Sequence, residues 1–237
     1  MTQVLSRALV ETELGEHYKP EYSDNCCRIR IEFDQINVDT KVVLDQGKFV
    51  EADTDFTSFA QEIMLRGVER IDLGGLETWR VGHFFVIDAD RVKAIHPEVN
   101  FEIMDGATKE IITLLQYRFL GATGITSWDS AFYDHNPTNG CDFRAFFPHN
   151  VRIGYVEPSC GTGSIALALA FLTNGESQKY GKEIDNRYTV SLETGGKPTI
   201  SGVDYTKVVI DRPSGIFRSA LFSNSNVQLI ASGVVSI

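Results

Sequence analysis

The stretch Glu157-Pro158-Ser159-Cys160-Gly161-Thr162-Gly163-Ser164 decides how this chain is read, because it sets a cysteine among small residues where a strand gives way to a helix. Upstream, Val151, Ile153 and Tyr155 alternate with Arg152, Gly154 and Val156, the period of two that marks a strand. Downstream, Ile165-Ala166-Leu167-Ala168-Leu169-Ala170-Phe171-Leu172 is apolar all round, which predicts a helix buried on every face and ending at Asn174-Gly175. Cys160 therefore falls at a helix N-terminus. Free N–H groups and the positive end of the helix dipole favour an anion there, either the thiolate itself or a bound carboxylate or phosphate. Gly161 and Gly163 are read as leaving room for a ligand to approach the backbone.

The 237 residues, 43% of them hydrophobic, suffice for one large domain or two small ones. No apolar run reaches the length of a membrane span and no basic-then-apolar leader opens the sequence, so the expectation is a soluble cytoplasmic protein with no membrane partner. Lys+Arg total 22 against Asp+Glu 32, a formal charge of −10 with no basic run, which argues against a nucleic-acid surface and leaves a small anionic ligand captured locally. Cys26, Cys27, Cys141 and Cys160 show no CxxC spacing and are expected as free thiols. His135, His149, Asp134 and Cys141 lack ligand spacing, so no metal is expected.

Along the chain, Val4, Leu5, Ala8, Leu9 and, less regularly, Leu14 predict an opening helix that stops at Gly15. Cys27, Ile29, Ile31 and Phe33 alternate with charged residues, and Ile36, Val38, Val42 and Leu44 share one side before Gln46-Gly47; these are half-buried antiparallel strands. Val81 to Asp88 reads as one apolar strand, and the domain crossover is placed near residue 80. Met104, Ala107, Ile111, Leu114 and Leu115 predict a helix between 101 and 120, followed by a loop-like region from 122 to 142. Tyr188, Val190 and Leu192, then Ile200, Val203 and Val208 to Ile210, return to strands, as does the run from Val227 to Ile237. Helix 2–14 with its strands and helix 160–173 with its own form an echo that suggests an internal repeat.

Three stretches carry a resemblance to the proline racemase family, within the wider diaminopimelate epimerase superfamily. Thr2 to Thr12, TQVLSRALVET, resembles the helix after the family's first cysteine motif. Gly82-His83-Phe84-Phe85-Val86-Ile87-Asp88-Ala89 is similar to the family's Gly-Gly-x-Phe-Tyr-Ala-x-Val-Asp-Ala. SCGTGS followed by LALAFLTNGE resembles the second cysteine motif and its helix. The resemblance implies an α/β fold of α+β type, built as two mirrored domains, each a curved and mainly antiparallel sheet around one central helix. The corresponding divisions are residues 1–80, residues 81–215 carrying the Cys160 helix, and residues 216–237, strands returning to the first domain. It implies cofactor-independent proton transfer at the α-carbon of proline, hydroxyproline or a related amino acid, with Cys160 as acid/base. The amides of Gly161, Thr162 and Gly163 would hold the substrate carboxylate, and His83 would be a polar contact to the substrate from the interdomain cleft.

Two positions depart from the family pattern. Its first cysteine would fall just before Thr2, where the sequence has Met1, so the expectation is an incomplete first domain, impaired racemisation, and a homodimer that covers the unpaired sheet edge. The aspartate four residues ahead of the second cysteine, which holds the substrate amine in the family, is Val156 here; Glu157 is adjacent and expected on the other face. Two rival readings stand beside this one. Val156 to Gly163 with Lys182-Glu183-Ile184-Asp185 also resembles an adenosylmethionine-dependent methyltransferase, in which the carboxylate would hold the ribose. The other rival is a non-catalytic amino-acid-binding homologue.

Overall fold

The computed structural model describes residues 21–23, 26–33, 36–45, 48–125, 130–149, 155–157, 160–195, 205–213 and 216–224. The predicted opening helix, Ile200, Val203 and the run from Val227 to Ile237 lie outside them. The N-terminal strands form a meander: β1 (Glu21–Ser23), β2 (Cys26–Phe33), β3 (Ile36–Asp45) and β4 (Lys48–Asp55) pair antiparallel in succession, with a register shift between Val43 and Leu44. Helix α1 (Thr57–Arg66) follows, its start tied down by Asp55, whose carboxylate accepts from the Thr57 N–H at 2.8 Å.

Next come β5 (Val68–Asp72), β6 (Glu77–Val81) and β7 (Phe84–Asp88), then α2 (Ala89–Ile95) and α3 (Gly106–Thr123). The segment read as one strand from Val81 to Asp88 is in fact a hairpin. Val81 and Phe84 pair, and Gly82, at φ +60°, and His83 form the two-residue turn between them. Residues 80 and 81, where the sequence places the domain crossover, lie inside β6. The region read as loop from 122 to 142 contains β8 (Ser130–Asp134), which is buried along its whole length.

The remaining elements are β9 (Phe143–Phe146), β10 (Pro148–His149), β11 (Tyr155–Val156), α4 (Gly161–Thr173), β12 (Lys182–Ile184), β13 (Arg187–Thr194), β14 (Tyr205–Asp211) and β15 (Ser219–Asn224). One large sheet runs β1-β2-β3-β4-β15-β14-β13-β9-β8-β7-β6-β5, with β12 added beside β13. Among the described residues its pairings are antiparallel except β13 with β9 and β7 with β8. β15 hydrogen-bonds β14 on one side and β4 on the other.

Helix α4 is the hub, and Gly163 to Phe171 are all buried. A helix apolar on every face has to be surrounded, and here the inward side chains of β6 to β9 and β13 to β15 enclose it together with Phe59, Ala60 and Ile63 of α1. β7 alternates between two cores: Phe84 and Val86 face α4, whereas Phe85 and Ile87 face a second cluster under α2 and α3 with Val92, Ile112, Leu115 and Phe119. Burial on both faces explains the unbroken apolar run of β7, and each such side chain contributes roughly 1.5–3 kcal/mol.

Candidate functional site

Cys160 caps α4. Its backbone is extended (φ −65°, ψ 111°), its Sγ accepts the Gly163 N–H at 3.4 Å, and it lies 3.5 Å from the Thr162 hydroxyl. Its carbonyl accepts both the N–H and the hydroxyl of Ser164, at 3.0 and 2.7 Å. These bonds fix the sulfur at the helix mouth, and with 8% of its surface exposed it is nearly closed off from water.

The glycines prove to be sites of close packing. A Cβ on Gly161 would lie 2.6 Å from Cζ of Phe56, and one on Gly163 would lie 2.5 Å from Cδ1 of Phe147. The space that the sequence reading gave to a ligand is thus occupied by two aromatic rings. The Gly163 N–H is directed at the sulfur rather than outward. At the mouth of α4 this leaves the N–H groups of Gly161 and Thr162, which make no bond among the described residues.

The electrostatics reverse a second expectation. Burial pushes the Cys160 thiol up to about 12; the negative charge of Glu157 adds to this, and the hydrogen bonds from Thr162 and Gly163 oppose it without prevailing. The resting group is a thiol. Glu157 and Val156 also exchange their anticipated roles: Val156 packs on the second cluster, away from α4, while Glu157, its N–H bonded to the Phe147 carbonyl at 2.8 Å, sets its carboxylate beside the Cys160 sulfur. The two side chains do point to opposite faces, as on a strand, but the face toward α4 is that of Glu157 and not that of Val156.

His83 stands half-buried in the β6–β7 turn, its ring 4.6 Å from that of Phe84 and 6.3 Å from that of Phe59. Phe59 belongs to the cluster that includes Cys160, which brings His83 to that core's edge. Trp79 packs on the same core and Phe85 on the second. Asp134 is bound by the Arg144 guanidinium at 2.6 Å, and His135 lies between Asp88 Oδ2 at 3.4 Å and the Tyr180 hydroxyl at 3.3 Å. Sequence reasoning missed Glu157 as the neighbour of the thiol, and also Phe56 and Phe147. The only available signal was the Phe-Phe-Pro run at 146–148 before the motif.

The methyltransferase reading fails on the fold. It needs an alternating parallel sheet, whereas Asp185 and Asn186, at φ +51° and +62°, form the turn of the β12–β13 hairpin, and Glu183 is bound by Arg212 and Ser177.

No protein-family model matches the chain, and no curated protein sequence does. Solved structures do. A hydroxyproline epimerase from Agrobacterium vitis, with bound trans-4-hydroxy-L-proline, superposes with a TM-score of 0.53 at 15% identity over 96% of this chain and 62% of its own. A probable proline racemase from Agrobacterium radiobacter, with bound carbonate, gives 0.56 at 13% identity over 100% of this chain and 65% of its own. The chain has the proline racemase-like fold. A methylitaconate-delta-isomerase shares it, with a TM-score of 0.54 at 13% identity over 99% of this chain and 69% of its own. The chain thus spans 62% and 65% of the length of these first two proteins.

Proposed function

We propose that this protein is a cofactor-independent amino-acid isomerase of the proline racemase type, in which Cys160 moves the α-proton of proline, 4-hydroxyproline or a related amino acid. The observation that carries the reading is a buried thiol fixed at the N-terminus of the enclosed helix α4 beside a carboxylate, in a fold shared with proteins named for proline and hydroxyproline isomerisation. The substrate carboxylate lies against the N–H groups of Gly161 and Thr162, with the Thr162 hydroxyl as a further donor. Gly163 acts through the sulfur, and His83 is a polar contact to the substrate from the edge of the same core.

Glu157 takes the substrate ammonium. That ion pair offsets the charge that holds the thiol protonated, so the sulfur becomes easier to ionise when substrate is present. As thiolate, Cys160 removes the α-proton and leaves a carbanion whose charge is spread into the carboxylate at the helix N-terminus; as thiol, it returns a proton to the face it came from, so Cys160 by itself gives α-proton exchange with retention, and inversion requires a second acid on the opposite face.

The test is incubation with L- and D-proline and with trans-4-hydroxy-L-proline in D₂O, following the α-proton and chirality by NMR. Wild type is expected to incorporate α-deuterium, and Cys160→Ser to lose it. Exchange at equal rates in the two proteins, or none in either, overturns the reading; calorimetric binding without exchange would assign the protein to amino-acid binding instead.

A further inference from the structure

The tripeptide Thr-Asn-Gly occurs twice in this chain, as Thr138-Asn139-Gly140 and as Thr173-Asn174-Gly175. An asparagine followed by glycine readily loses its side-chain amide, since the next backbone nitrogen reaches the side-chain carbonyl carbon when no Cβ stands in the way. The local sequence makes the two steps alike, and the fold makes them different. At Asn174, the C-cap of α4, both ends of the amide are held: Oδ1 accepts the Glu176 N–H at 2.9 Å, and Nδ2 donates to the Glu176 carboxylate at 2.9 Å. The backbone is fixed as well, by the Asn174 N–H to the Ala170 carbonyl at 3.0 Å and the Glu176 N–H to the Phe171 carbonyl at 2.9 Å. Closing a ring onto the Gly175 nitrogen would break the charge-assisted bond from Nδ2.

At Asn139 only the oxygen is held, by the Cys141 N–H at 3.1 Å. Nδ2 is buried and has no hydrogen-bond partner among the described residues. It leans toward the Cys141 sulfur closely enough to favour the thiolate, but outside hydrogen-bond geometry. A buried donor without a partner raises the energy of the intact amide, so expelling this nitrogen relieves a cost. The Cys141 N–H meanwhile rests on the oxygen that gathers negative charge as the ring closes. The segment is pinned on both sides of the step. The Glu193 carboxylate accepts the N–H and the hydroxyl of Thr138, and the Asp142 carboxylate accepts the N–H and the hydroxyl of Ser191 at 2.8 and 2.7 Å. Between these pins Gly140 is exposed, at φ +81°, with nothing within 4 Å of its Cβ direction, so water reaches the reacting bonds.

We infer that Asn139 is a site of spontaneous deamidation and that Asn174, in the same tripeptide, is protected from it by Glu176. The Gly140 nitrogen attacks Cγ of Asn139, the Cγ–Nδ2 bond breaks, and the Gly140 amide proton leaves with Nδ2 as ammonia. Water then opens the succinimide at either carbonyl, giving aspartate or isoaspartate. Each product sets a new negative charge next to Cys141. Burial already pushes that thiol up, and the charges of Glu193 and Asp142 add to this against the hydrogen bonds from Ser191 and Asn139. Deamidation removes the helping amide and adds a third opposing charge, so the modified protein has a less reactive Cys141.

The test is incubation of the intact protein in heavy-oxygen water at mildly alkaline pH, with peptide mass spectrometry following oxygen incorporation at both Thr-Asn-Gly steps. Asn139 is expected to convert about tenfold faster than Asn174, the factor that one hydrogen bond to a charged acceptor is worth. In urea the two should convert at similar rates. Glu176→Ala should speed Asn174 about tenfold and leave Asn139 unchanged, and Gly140→Ala should abolish conversion at Asn139. Equal native rates, a faster Asn174, or no native conversion at Asn139 while it proceeds in urea overturns the inference, as does an Asn174 rate unmoved by Glu176→Ala. Asn139→Asp, which reproduces one product, should shift the alkaline midpoint of iodoacetamide labelling at Cys141 upward; an unchanged midpoint overturns the effect on the thiol.

Discussion

Helices α3 and α4 each begin on a side chain that accepts a backbone N–H three residues on, and these two acceptors respond in opposite ways. At α3 the Asp105 carboxylate accepts the Thr108 N–H at 2.8 Å, and hydrogen bonds from Thr108 hold it below the usual carboxylate range. At α4 the Cys160 sulfur accepts the Gly163 N–H at 3.4 Å, yet the thiol is pushed up to about 12. The helix dipole is common to both. Its effect, roughly 0.3–1 kcal/mol at such a position, is outweighed at Cys160 by an opposing effect of roughly 4 kcal/mol from burial and the Glu157 charge. A helix N-terminus stabilises an anion only where water or a countercharge reaches it.

The largest test of this contrast is chemical. With the thiol at about 12, iodoacetamide at pH 8 should label Cys160 about a hundredfold more slowly than a free cysteine, the smaller thiolate fraction being partly offset by its greater intrinsic nucleophilicity. Peptide mass spectrometry reads the rate at Cys160 itself. Glu157→Gln should move the alkaline midpoint of labelling downward, and an unchanged midpoint would leave burial as the sole cause. The thiol's folded value is raised above its unfolded one, so its contribution to stability is complete below pH about 8.5 and is lost as pH rises toward 12.

Packing gives the next largest effect. Gly163→Ala should cost roughly 2–3 kcal/mol by urea denaturation, because the new Cβ would meet the Phe147 ring at 2.5 Å. Gly106, at the first position of α3, has nothing within 4 Å of its Cβ direction, and Gly106→Ala should stabilise the fold by about 0.5 kcal/mol. A similar cost at both positions would break the distinction between a crowded helix start and an open one.

The smallest effect belongs to Asp105. Asp105→Ala should produce a small loss of stability at pH 7. A carboxylate held below its unfolded value stabilises above that value, near pH 3.9, and ceases to as pH falls through the folded one, so wild type and variant should converge in acid.

What the sequence disclosed tracks how locally each feature is determined. Helix α4 was legible because its apolar run and the Asn174-Gly175 stop are local, and β2 and β3 because alternation is local. The α1 helix was not foreseen: it lacks a capping side chain at Phe56 and is held by contacts with β15, including the Phe56 N–H to the Ala220 carbonyl at 2.9 Å. The hairpin at Gly82-His83 hid inside an apolar run because Val81 on one side of the turn and Phe84 to Ile87 on the other are all buried. At the site, the position of Cys160 was readable, but its protonation was not. Phe56, Phe147 and Glu157 determine the latter, and their convergence on Cys160 is a property of the whole sheet.

The pairing of β15 with β4 also dictates an order of events during synthesis. Leu221 meets Asp55 across most of the chain's length, and Ala220 and Phe222 complete the wall around α4. A ribosome therefore releases α4 dozens of residues before its last covering strand exists, and this helix has no polar face to turn toward water meanwhile. The nascent protein has to shelter its most apolar segment until translation is nearly complete, which makes folding late, dependent on distant contacts, and exposed to aggregation in the interval.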